Sequence, residues 1–278
     1  MPSHPLAVIG GGAMAQAIVR GGLDAGTLHA PDLLVLEPQP DRRAIFEAWN
    51  VRTTATPANL GVFLARAPDP GTILLAVKPQ SLADVHAQCA GIWDGRRRVV
   101  ISILAGGESG RVRESLGPWA AVVRAMPNTA ARVGRSTTAI ALGAGASPGD
   151  EALAVRVFES IGVVIPIAEH LMDAFTAVAG SGPAYLYLLA EAMVRAAEAC
   201  GMSAAQADAA VRGTLDGAAT LLSRSAEAPA ALRAAVTSKG GTTEAALAVL
   251  DEAGVADAVV RAIVAARDRG AALARGMG

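Results

Sequence analysis

Two short turns rich in glycine and hydroxyl side chains carry groups that could hold a small carboxylate. GSGP at 180–183 lies in the apolar helical stretch 178–192, and SKGGTT at 238–243 lies in 235–245. Glycine lets a ligand approach the main chain closely, Pro183 suits a first helical turn, and hydroxyls and N–H groups at a helix start suit an anion. We therefore interpret the two turns as the walls of a carboxylate site. Two ordinary helix caps would give the same local pattern, because Ser and Thr are common cap residues.

A glycine-rich string near the other end of the chain indicates a dinucleotide. Residues 6–9, LAVI, predict a short buried strand; GGGAMA follows, and a helix is expected at Met14–Ala25. G-x-G-x-x-A between a strand and a helix is the dinucleotide-binding fingerprint. Gly10 would make the tight turn, Gly12 would let a pyrophosphate approach the main chain, and Ala15 would permit close helix packing. A glycine-rich loop without a ligand is the alternative.

Strands and helices alternate as far as residue 168. This alternation predicts an α/β Rossmann domain with a doubly wound, mostly parallel sheet and ligands at the carboxyl ends of its strands. We expect those ends at Gly10–Gly12, Glu37, Ala76–Gln80 and Leu104–Gly107. The further strands are predicted at Leu33–Leu36, Val51–Thr53, Thr72–Val77, Val99–Leu104, Ala120–Arg124, Thr137–Leu142 and Val163–Ile167, and the further helices at Asp41–Trp49, Pro57–Ala65 and Gly149–Ile161.

Glu37 bears on the choice of cofactor. An acidic residue at the end of the second strand can bond the hydroxyls of the adenosine ribose, which favours NAD and repels the extra phosphate of NADP. Arg42 and Arg43 follow closely and could hold that phosphate. In a third interpretation Glu37 is merely a solvated side chain. The cofactor is therefore expected to be NADP(H) or NAD(H), with Glu37 favouring the latter.

Only helices are predicted after residue 168. Their alanine-rich sequences place small residues on several faces, and the segments 182–200 and 204–224 show no obvious solvated face. Intertwining with a second subunit would explain this, and a monomeric helical cap is the alternative. The expected domains are a dinucleotide-binding domain at 1–168 and an all-α domain at 169–278. The predicted helices are 170–178, 182–200, 204–224, 229–236, 242–252 and 255–275.

Charge and composition exclude several classes of function. The 278 residues carry a formal net charge of −1. The one basic run, Arg96–Arg98, is interpreted as a solvated loop, so nucleic acid binding is not expected. No apolar run approaches the roughly 20 residues of a membrane span, and the first residues lack the pattern of a signal peptide, so we expect a soluble cytoplasmic protein. Cys89 and Cys200 are interpreted as buried free thiols, without a disulfide framework or a metal site.

Six segments together resemble the pyrroline-5-carboxylate reductase family. They are IGGGAMAQAI at 9–18, AVKPQ at 76–80, ISILAGG at 101–107, VVRAMPNTAA at 122–131, AGSGPAY at 179–185 and VTSKGGTTEAAL at 236–247. The last two are specific, whereas many dehydrogenases share the first. The resemblance implies a Rossmann domain and a C-terminal helical domain that interlocks with that of a partner. It also implies sites at the interface of a homodimer, from which higher oligomers can be built.

The same resemblance implies a reaction and roles for single residues. The reaction is reduction of 1-pyrroline-5-carboxylate to L-proline by NAD(P)H, the last step of proline biosynthesis. Gly10, Gly12, Ala13 and Met14 would meet the pyrophosphate; Ala76, Lys78 and Pro79 would flank the nicotinamide ribose; Ala105, Gly106 and Asn128 would lie at the nicotinamide. Ser238, Gly240, Gly241 and Thr242 would hold the substrate carboxylate, and Thr243 would bond the ring nitrogen as the catalytic hydroxyl.

The chain departs from the family pattern at Lys239 and Ala130, where the family usually has proline. Lys239 either points into solvent or biases the site toward a more anionic substrate. Glu37 likewise puts the usual preference of the family for NADPH in doubt. The alternatives to the proline-forming reaction are a reductase of another cyclic imine or a keto acid, and a non-catalytic NAD(P)-binding protein.

The proposed chemistry does not require a strong buried acid. A cyclic imine can take a proton from water, and the cofactor carries the difficult hydride chemistry while the protein binds and orients. Neither turn contains His or Asp, and the four histidines lie outside every motif. The residue types therefore agree with catalysis by positioning, assisted by a hydroxyl that stabilises the nitrogen.

Overall fold

The computed structural model describes residues 5–67, 71–89 and 95–276. Within these residues, eight strands form one sheet in the order β3-β2-β1-β4-β5-β6-β7-β8. All neighbouring strands are parallel except β6 and β7. The predicted doubly wound, mostly parallel sheet is thus confirmed. The strands are β1 Leu6–Ile9, β2 Leu33–Leu36, β3 Arg52–Thr54, β4 Gly71–Leu75, β5 Arg98–Ser102, β6 Ala120–Met126, β7 Ser136–Leu142 and β8 Gly162–Pro166.

The helices flank the sheet and then continue alone to the end of the described chain. They are α1 Ala13–Asp24, α2 Pro40–Glu47, α3 Pro57–Ala65, α4 Leu82–Cys89, α5 Ser109–Leu116, α6 Ala152–Glu159, α7 Met172–Phe175, α8 Gly182–Ala199, α9 Ala204–Arg224, α10 Pro229–Ala235, α11 Thr242–Glu252 and α12 Val255–Gly276. Short 3₁₀ turns lie at Ala30–Asp32, Pro79–Ser81, Thr129–Val133 and Glu169–Leu171, and a π-helix lies at Thr176–Gly180.

Two compact units divide the chain. The sheet unit runs to Ser181 and includes the residues from Ala266 onward, and the helical unit is Gly182–Ala265. In the sheet unit both faces of the sheet are covered, because strands such as LAVI and LLVL are apolar on both sides. One core packs α1, α2 and α6 against the sheet, and the other packs α3, α4 and α5.

The helical unit is much less buried within one chain. Helices α8, α10 and α11 contain no buried residue, and α9 contains two, Ala207 and Val211. Large apolar side chains remain exposed on α8, among them Tyr187 at 62% and Leu188 at 65%. Isolated helices gain most of their stability from packing an apolar face, so these faces call for a second surface. A search of the described helices finds none with the length and hydrophobicity of a membrane span.

Several local predictions need correction. Strand ends lie within two residues of the expected positions, but helices α4 and α5 were not predicted. The expected helix at 149–161 begins at Ala152, because Gly149 has φ +102° and the Ser147 N–H donates to the Asp150 carboxylate in a turn. The expected helix at 170–178 is a succession of 3₁₀, α and π segments.

Two interpretations of single side chains were also wrong. Arg98 is not part of a solvated loop: it begins β5, is only 2% exposed, and donates to the carbonyl oxygen of Leu64 at 3.4 Å. Cys89 is a buried free thiol as expected, whereas Cys200 is exposed immediately after the end of α8. The sequence alone does not show whether a single side chain in or beside a helix faces the core or the solvent.

Candidate functional site

The carboxyl ends of the six parallel strands β1–β6 meet at one edge of the sheet, which we call the ligand edge. Main-chain hydrogen bonds continue the ladders past the strand ends: Gly10 N–H donates to Leu36 O at 2.9 Å and Ala76 N–H donates to Ile9 O at 2.8 Å. Because β1, β2, β4, β5 and β6 run in parallel, the loops after them belong to this edge. The edge is therefore where an α/β sheet of this kind binds its ligand.

Gly10 makes the tight turn between β1 and α1. Its φ is +97°, and a Cβ atom at this position would lie 2.5 Å from the carbonyl oxygen of Ala76. Any side chain would therefore collide with the main chain that follows β4. The predicted role of Gly10 as the turn residue has a direct steric cause.

Gly12 keeps the start of α1 open. It is the N-cap residue with φ −69°, it has no side-chain cap, and no atom lies within 4 Å of the position that a Cβ would take. The first N–H groups of a helix have no acceptor inside the helix. Ala13 is exposed, Met14 is half-buried, and Ala15 is buried against the core. This cradle fits the pyrophosphate of a dinucleotide at a helix N-terminus.

Glu37 follows β2 and lies against the glycine-rich loop. Its side-chain oxygens accept hydrogen bonds from Gly11 N–H at 2.7 Å and from Gln39 N–H at 2.9 Å. The residue is only 3% exposed, so the interpretation of Glu37 as a solvated side chain is wrong. Arg42 lies 3.8 Å from the carboxylate, and Arg43 donates to the carbonyl oxygen of Glu37 at 3.0 Å.

The loops after β4 and β5 place the other predicted cofactor residues at the same edge. Lys78 is exposed and extended immediately before the 3₁₀ turn that begins at Pro79, and Ala76 is half-buried. After β5, Ala105 is exposed and Gly106 has φ +71°. These small or extended residues leave the main chain accessible beside the strand ends.

Asn128 lies in the turn that joins β6 to the antiparallel strand β7. Its side-chain oxygen accepts from Ala130 N–H at 3.1 Å, and its side-chain nitrogen donates to Ala179 O at 3.0 Å. The Asn128 N–H itself donates to the Ser136 hydroxyl at 3.2 Å. Asn128 therefore lies at the ligand edge and also ties the turn to the π-helix. Ala130 supplies an N–H that proline, the usual family residue, lacks.

The predicted turn at 180–183 differs from expectation. The π-helix ends at Gly180, α8 begins at Gly182, and Ser181 between them has helical φ and ψ angles. Ser181 N–H donates to Thr176 O at 2.8 Å. The chain is thus helical on both sides of Ser181, and GSGP is not an open helix start. Single-turn π segments occur frequently at functional sites.

The turn at 238–243, in contrast, is an open helix start. Gly241 is the N-cap of α11 without a side-chain cap, and Gly240 has φ +72°. The Ser238 hydroxyl lies directly over Gly241, where a Cβ would come within 2.4 Å of it. Gly241 N–H donates to Ser238 O at 3.0 Å, and Gly240 N–H donates to the Glu244 carboxylate at 2.6 Å.

Thr242 and Thr243 occupy the first turn of α11. Thr242 is exposed, Thr243 is half-buried, and Lys239 is exposed beside them. Because Gly240 and Gly241 N–H groups are already bonded, the N–H groups at the start of α11 are the ones available to an anion. The turn therefore presents main-chain N–H groups, hydroxyls and a cation within a short segment.

Sequence reasoning missed two structural supports of these loops. Glu169 accepts from Ser109 N–H at 2.8 Å and from the Ser109 hydroxyl at 2.6 Å, and Arg124 lies 3.4 Å from the same carboxylate. This network holds the start of α5 against β6. No sequence spacing indicates contacts over 45 and 60 residues. The Glu244 contact had a signal, because an acid at the third position of a helix commonly reaches back to cap it.

Two groups of the sheet unit with shifted pKa values, Asp150 and Cys89, lie outside these loops. A hydrogen bond from Arg97 is the main cause that lowers the pKa of Asp150 below 3.8, and Arg97 precedes β5 at the opposite edge. Burial raises the pKa of the Cys89 thiol to about 11. Within residues 5–67, 71–89 and 95–276 there is no group of three His, Cys, Asp or Glu side chains suited to a metal ion. Binding by main-chain groups and hydroxyls is the chemistry these loops offer.

A dinucleotide cradle on a Rossmann sheet, followed by a helical unit, defines the class of nicotinamide-dependent oxidoreductases. Comparisons with known proteins give the family. The family model described as pyrroline-5-carboxylate reductase dimerisation matches residues 169–273, and the model described as NADP oxidoreductase, coenzyme F420-dependent, matches residues 5–106. The chain belongs to the pyrroline-5-carboxylate reductase family, and the resemblance inferred from its motifs is confirmed.

Individual relatives agree over almost the whole chain. A pyrroline-5-carboxylate reductase of Synechocystis sp. is 40% identical, over 96% of this chain and 97% of the relative. The structure of a pyrroline-5-carboxylate reductase from Coxiella burnetii has a TM-score of 0.86 at 30% identity, covering 100% of this chain and 99% of that one. The Plasmodium falciparum pyrroline carboxylate reductase with NADP bound has a TM-score of 0.83 at 26% identity, covering 99% of both chains.

Proposed function

We propose that this protein reduces 1-pyrroline-5-carboxylate to L-proline with NAD(P)H, the last step of proline biosynthesis. The observation that carries the proposal is the presence, in one chain of this family, of two open helix starts. One is Gly12 at the ligand edge, suited to a pyrophosphate, and the other is Gly241 in the SKGGTT turn, suited to a carboxylate. Anion binding at helix N-termini accounts for both.

The roles of the chain are binding, orientation and hydrogen bonding. The bound reduced nicotinamide supplies the hydride that the C=N carbon of the imine accepts. We assign the pyrophosphate to Gly10, Gly12, Ala13 and Met14, and the nicotinamide and its ribose to Ala76, Lys78, Pro79, Ala105, Gly106 and Asn128. Fixed main-chain groups hold a ligand at a small entropic cost, which favours catalysis by positioning.

We assign substrate binding to the SKGGTT turn. The carboxylate is held by the Ser238 hydroxyl, the glycines 240 and 241 and Thr242, with the start of α11 providing the free N–H groups. Thr243 is the catalytic hydroxyl, which hydrogen-bonds the ring nitrogen and stabilises it as it becomes an amine. Glu244 shapes the turn through its bond to Gly240 N–H. None of these groups needs to transfer a proton, because the cyclic imine can be protonated by water.

The deciding experiment is an NAD(P)H oxidation assay with 1-pyrroline-5-carboxylate and the purified protein. We expect oxidation that depends on the imine and yields proline. Oxidation no faster than the blank, from folded protein that binds the dinucleotide, would contradict the proposed reaction and favour a non-catalytic NAD(P)-binding protein.

Lys239 motivates a second candidate, a reductase of another cyclic imine. The exposed cation beside the carboxylate turn could favour a more anionic substrate. A panel of five- and six-membered cyclic imines, each assayed with the wild-type protein and with Lys239→Pro, distinguishes the two. Faster turnover of a six-membered or dianionic substrate, lost in Lys239→Pro, would favour this second candidate.

We further propose that the protein is a homodimer that buries the exposed apolar faces of its helical unit, with higher oligomers built from dimers. The exposed residues of α8, including Tyr187 and Leu188, support this assembly. The cytoplasmic location and the domain boundary after residue 168 stay predictions.

A further inference from the structure

Glu37 places a carboxylate at the end of β2, the position at which dinucleotide-binding sheets of this kind contact the adenosine ribose. Glu37 is 3% exposed and follows the last residue of β2, whose carbonyl accepts the Gly10 N–H at 2.9 Å. Its own N–H donates to Thr54 O at 3.0 Å, so its main chain is fixed on the β3 side as well. The position of the Glu37 side chain is thus set by the sheet and not by a flexible loop.

The Glu37 side chain packs directly against the glycine-rich loop at Gly11. Gly11 N–H donates to the Glu37 carboxylate at 2.7 Å. A Cβ on Gly11 would lie 3.0 Å from Glu37 Cγ and 3.0 Å from Phe46 Cε2, which is closer than ordinary van der Waals contact. The fingerprint G-x-G-x-x-A does not require glycine at its second position. Glycine at position 11, the middle one of the three consecutive glycines, therefore has a local cause, the carboxylate side chain beside it.

Arg42 and Arg43, the two arginines that could hold an extra phosphate, both interact with the segment Glu37–Pro38. Arg43 donates to the carbonyl oxygens of Glu37 at 3.0 Å and Pro38 at 2.8 Å. Arg42 lies 3.8 Å from the Glu37 carboxylate with its side chain 47% exposed. A 2′-phosphate bound here would compete with the Glu37 carboxylate for Arg42, and the carboxylate would repel the phosphate.

We propose that Glu37 determines the nucleotide preference of this protein, so that NADH is bound in preference to NADPH. The inference rests on the dinucleotide-dependent function proposed above and specifies the cofactor for that site. A carboxylate has about four acceptor positions, of which the Gly11 and Gln39 N–H groups take two, so acceptor capacity remains for ribose hydroxyls. A 2′-phosphate offers no such donors and carries the same sign of charge.

Calorimetric titration of the purified protein with NADH and with NADPH, without imine, tests the proposal by binding alone. We expect the wild-type protein to bind NADH about tenfold more tightly or better, because like charges near contact at a protein surface repel by more than the energy of a tenfold change. Glu37→Gln and Glu37→Ser should lower this ratio about tenfold, mainly by tightening NADPH. Asp41→Asn, which removes an exposed acid from the first turn of α2, should leave the ratio within about twofold.

The outcomes separate the inference from the function. Equal affinities in the wild type, or tighter NADPH that is weakened in Arg42→Ala, would overturn the role of Glu37 while imine reduction could still proceed. Binding of neither nucleotide would overturn the inference together with the proposed function. A wild-type preference for NADH that Glu37→Gln and Glu37→Ser retain would also overturn the role of Glu37. If these variants fail to fold, equal or NADPH-favouring affinities of the wild-type protein still overturn the proposal.

Discussion

The loop at the start of α1 and the turn at the start of α11 both present the N–H groups of a helix start to an anion. They differ in how firmly the surrounding structure holds them. Both begin a helix at a glycine N-cap without a side-chain cap, Gly12 in one and Gly241 in the other. The first lies on buried strands and is fixed by contacts from β2 and β4. The second is largely exposed, in a unit whose helices bury almost nothing within the chain.

The two regions therefore depend on different things: the first loop on steric fit within the sheet unit, and the second turn on the association of the helical unit with another surface. At Gly10 in the first loop, an added methyl group meets main-chain atoms, because this residue lies against the chain that follows β4. Around the second, most side chains are exposed, and the helical unit depends on covering its exposed apolar faces. We therefore expect substitutions near α1 to act through packing, and substitutions in the helical unit to act through association or through the substrate.

The largest effect is expected from Gly10→Ala. The positive φ and the 2.5 Å approach to Ala76 O should lower the free energy of unfolding by about 3 kcal/mol, and NADH binding should be lost with it. Chemical denaturation and titration with NADH measure the two effects.

Gly12→Ala is the matched control, because its φ is −69° and no atom lies within 4 Å of the new Cβ. Stability should change by less than about 1 kcal/mol, while dinucleotide affinity falls about tenfold because the methyl group fills the cradle. Equal loss of stability in both variants would contradict the distinction between the two glycines.

Leu188→Glu tests the exposed face of α8. A charge placed in an interface that buries this residue should raise the dissociation constant of the dimer about 100-fold, with NADH binding by the sheet unit retained. Light scattering combined with gel filtration measures the association. Ala44→Glu, on the exposed side of α2, introduces the same charge and should leave the assembly unchanged. A Leu188→Glu protein that remains fully dimeric would remove α8 from the interface.

Thr243→Ala tests the chemistry of the turn. Loss of a hydrogen bond to the reacting nitrogen should lower turnover about 100-fold, with little change in the free energy of unfolding. Steady-state kinetics with 1-pyrroline-5-carboxylate provides the measurement. Thr214→Ala is the control, because its hydroxyl donates to Ala210 O within α9. Unchanged turnover in Thr243→Ala would exclude Thr243 from the mechanism.

The smallest effect concerns the opposite edge of the sheet unit. A hydrogen bond from Arg97 holds the pKa of Asp150 below 3.8, so the pair stabilises the folded state above that pH and the contribution is lost as pH falls through the lowered pKa. Because the Arg97 side chain is 41% exposed, Asp150→Asn should cost less than about 1 kcal/mol at pH 7. Unfolding curves of the two proteins between pH 7 and pH 3 should converge at the acid end. A constant difference over that range would show that the ion pair is not its cause.

The sheet could be predicted from the sequence because several of its strands, among them LAVI and LLVL, are continuous apolar runs. The exact positions of LAVI and LLVL follow from this pattern. Helices α4 and α5 are only eight residues long and bury few apolar side chains, Cys89 in α4 and Val112 and Leu116 in α5, so they give little signal in the sequence. The succession of helix types before Gly182 also depends on tertiary contacts, among them the bond from Asn128 to Ala179.

The candidate site was predictable where a residue acts through its own backbone geometry. Gly10 and Gly12 follow from the fingerprint, and Gly241 follows from its place before a helical segment. The burial of Glu37 could not be read from the sequence, because it depends on a contact with Gly11, 26 residues away in another loop. The roles assigned to the other loop residues stay predictions until ligand binding is measured.

The contact of Glu169 with Ser109 and Arg124 has a practical meaning for dissecting the chain. Glu169 begins the stretch that matches the dimerisation model, yet its carboxylate completes the N-terminus of α5 and neutralises a buried guanidinium on β6. A fragment that stops at residue 168 would leave Arg124 without this anion, at a cost typical of separating a buried ion pair. Anyone excising the nucleotide-binding half should therefore carry the cut past this carboxylate.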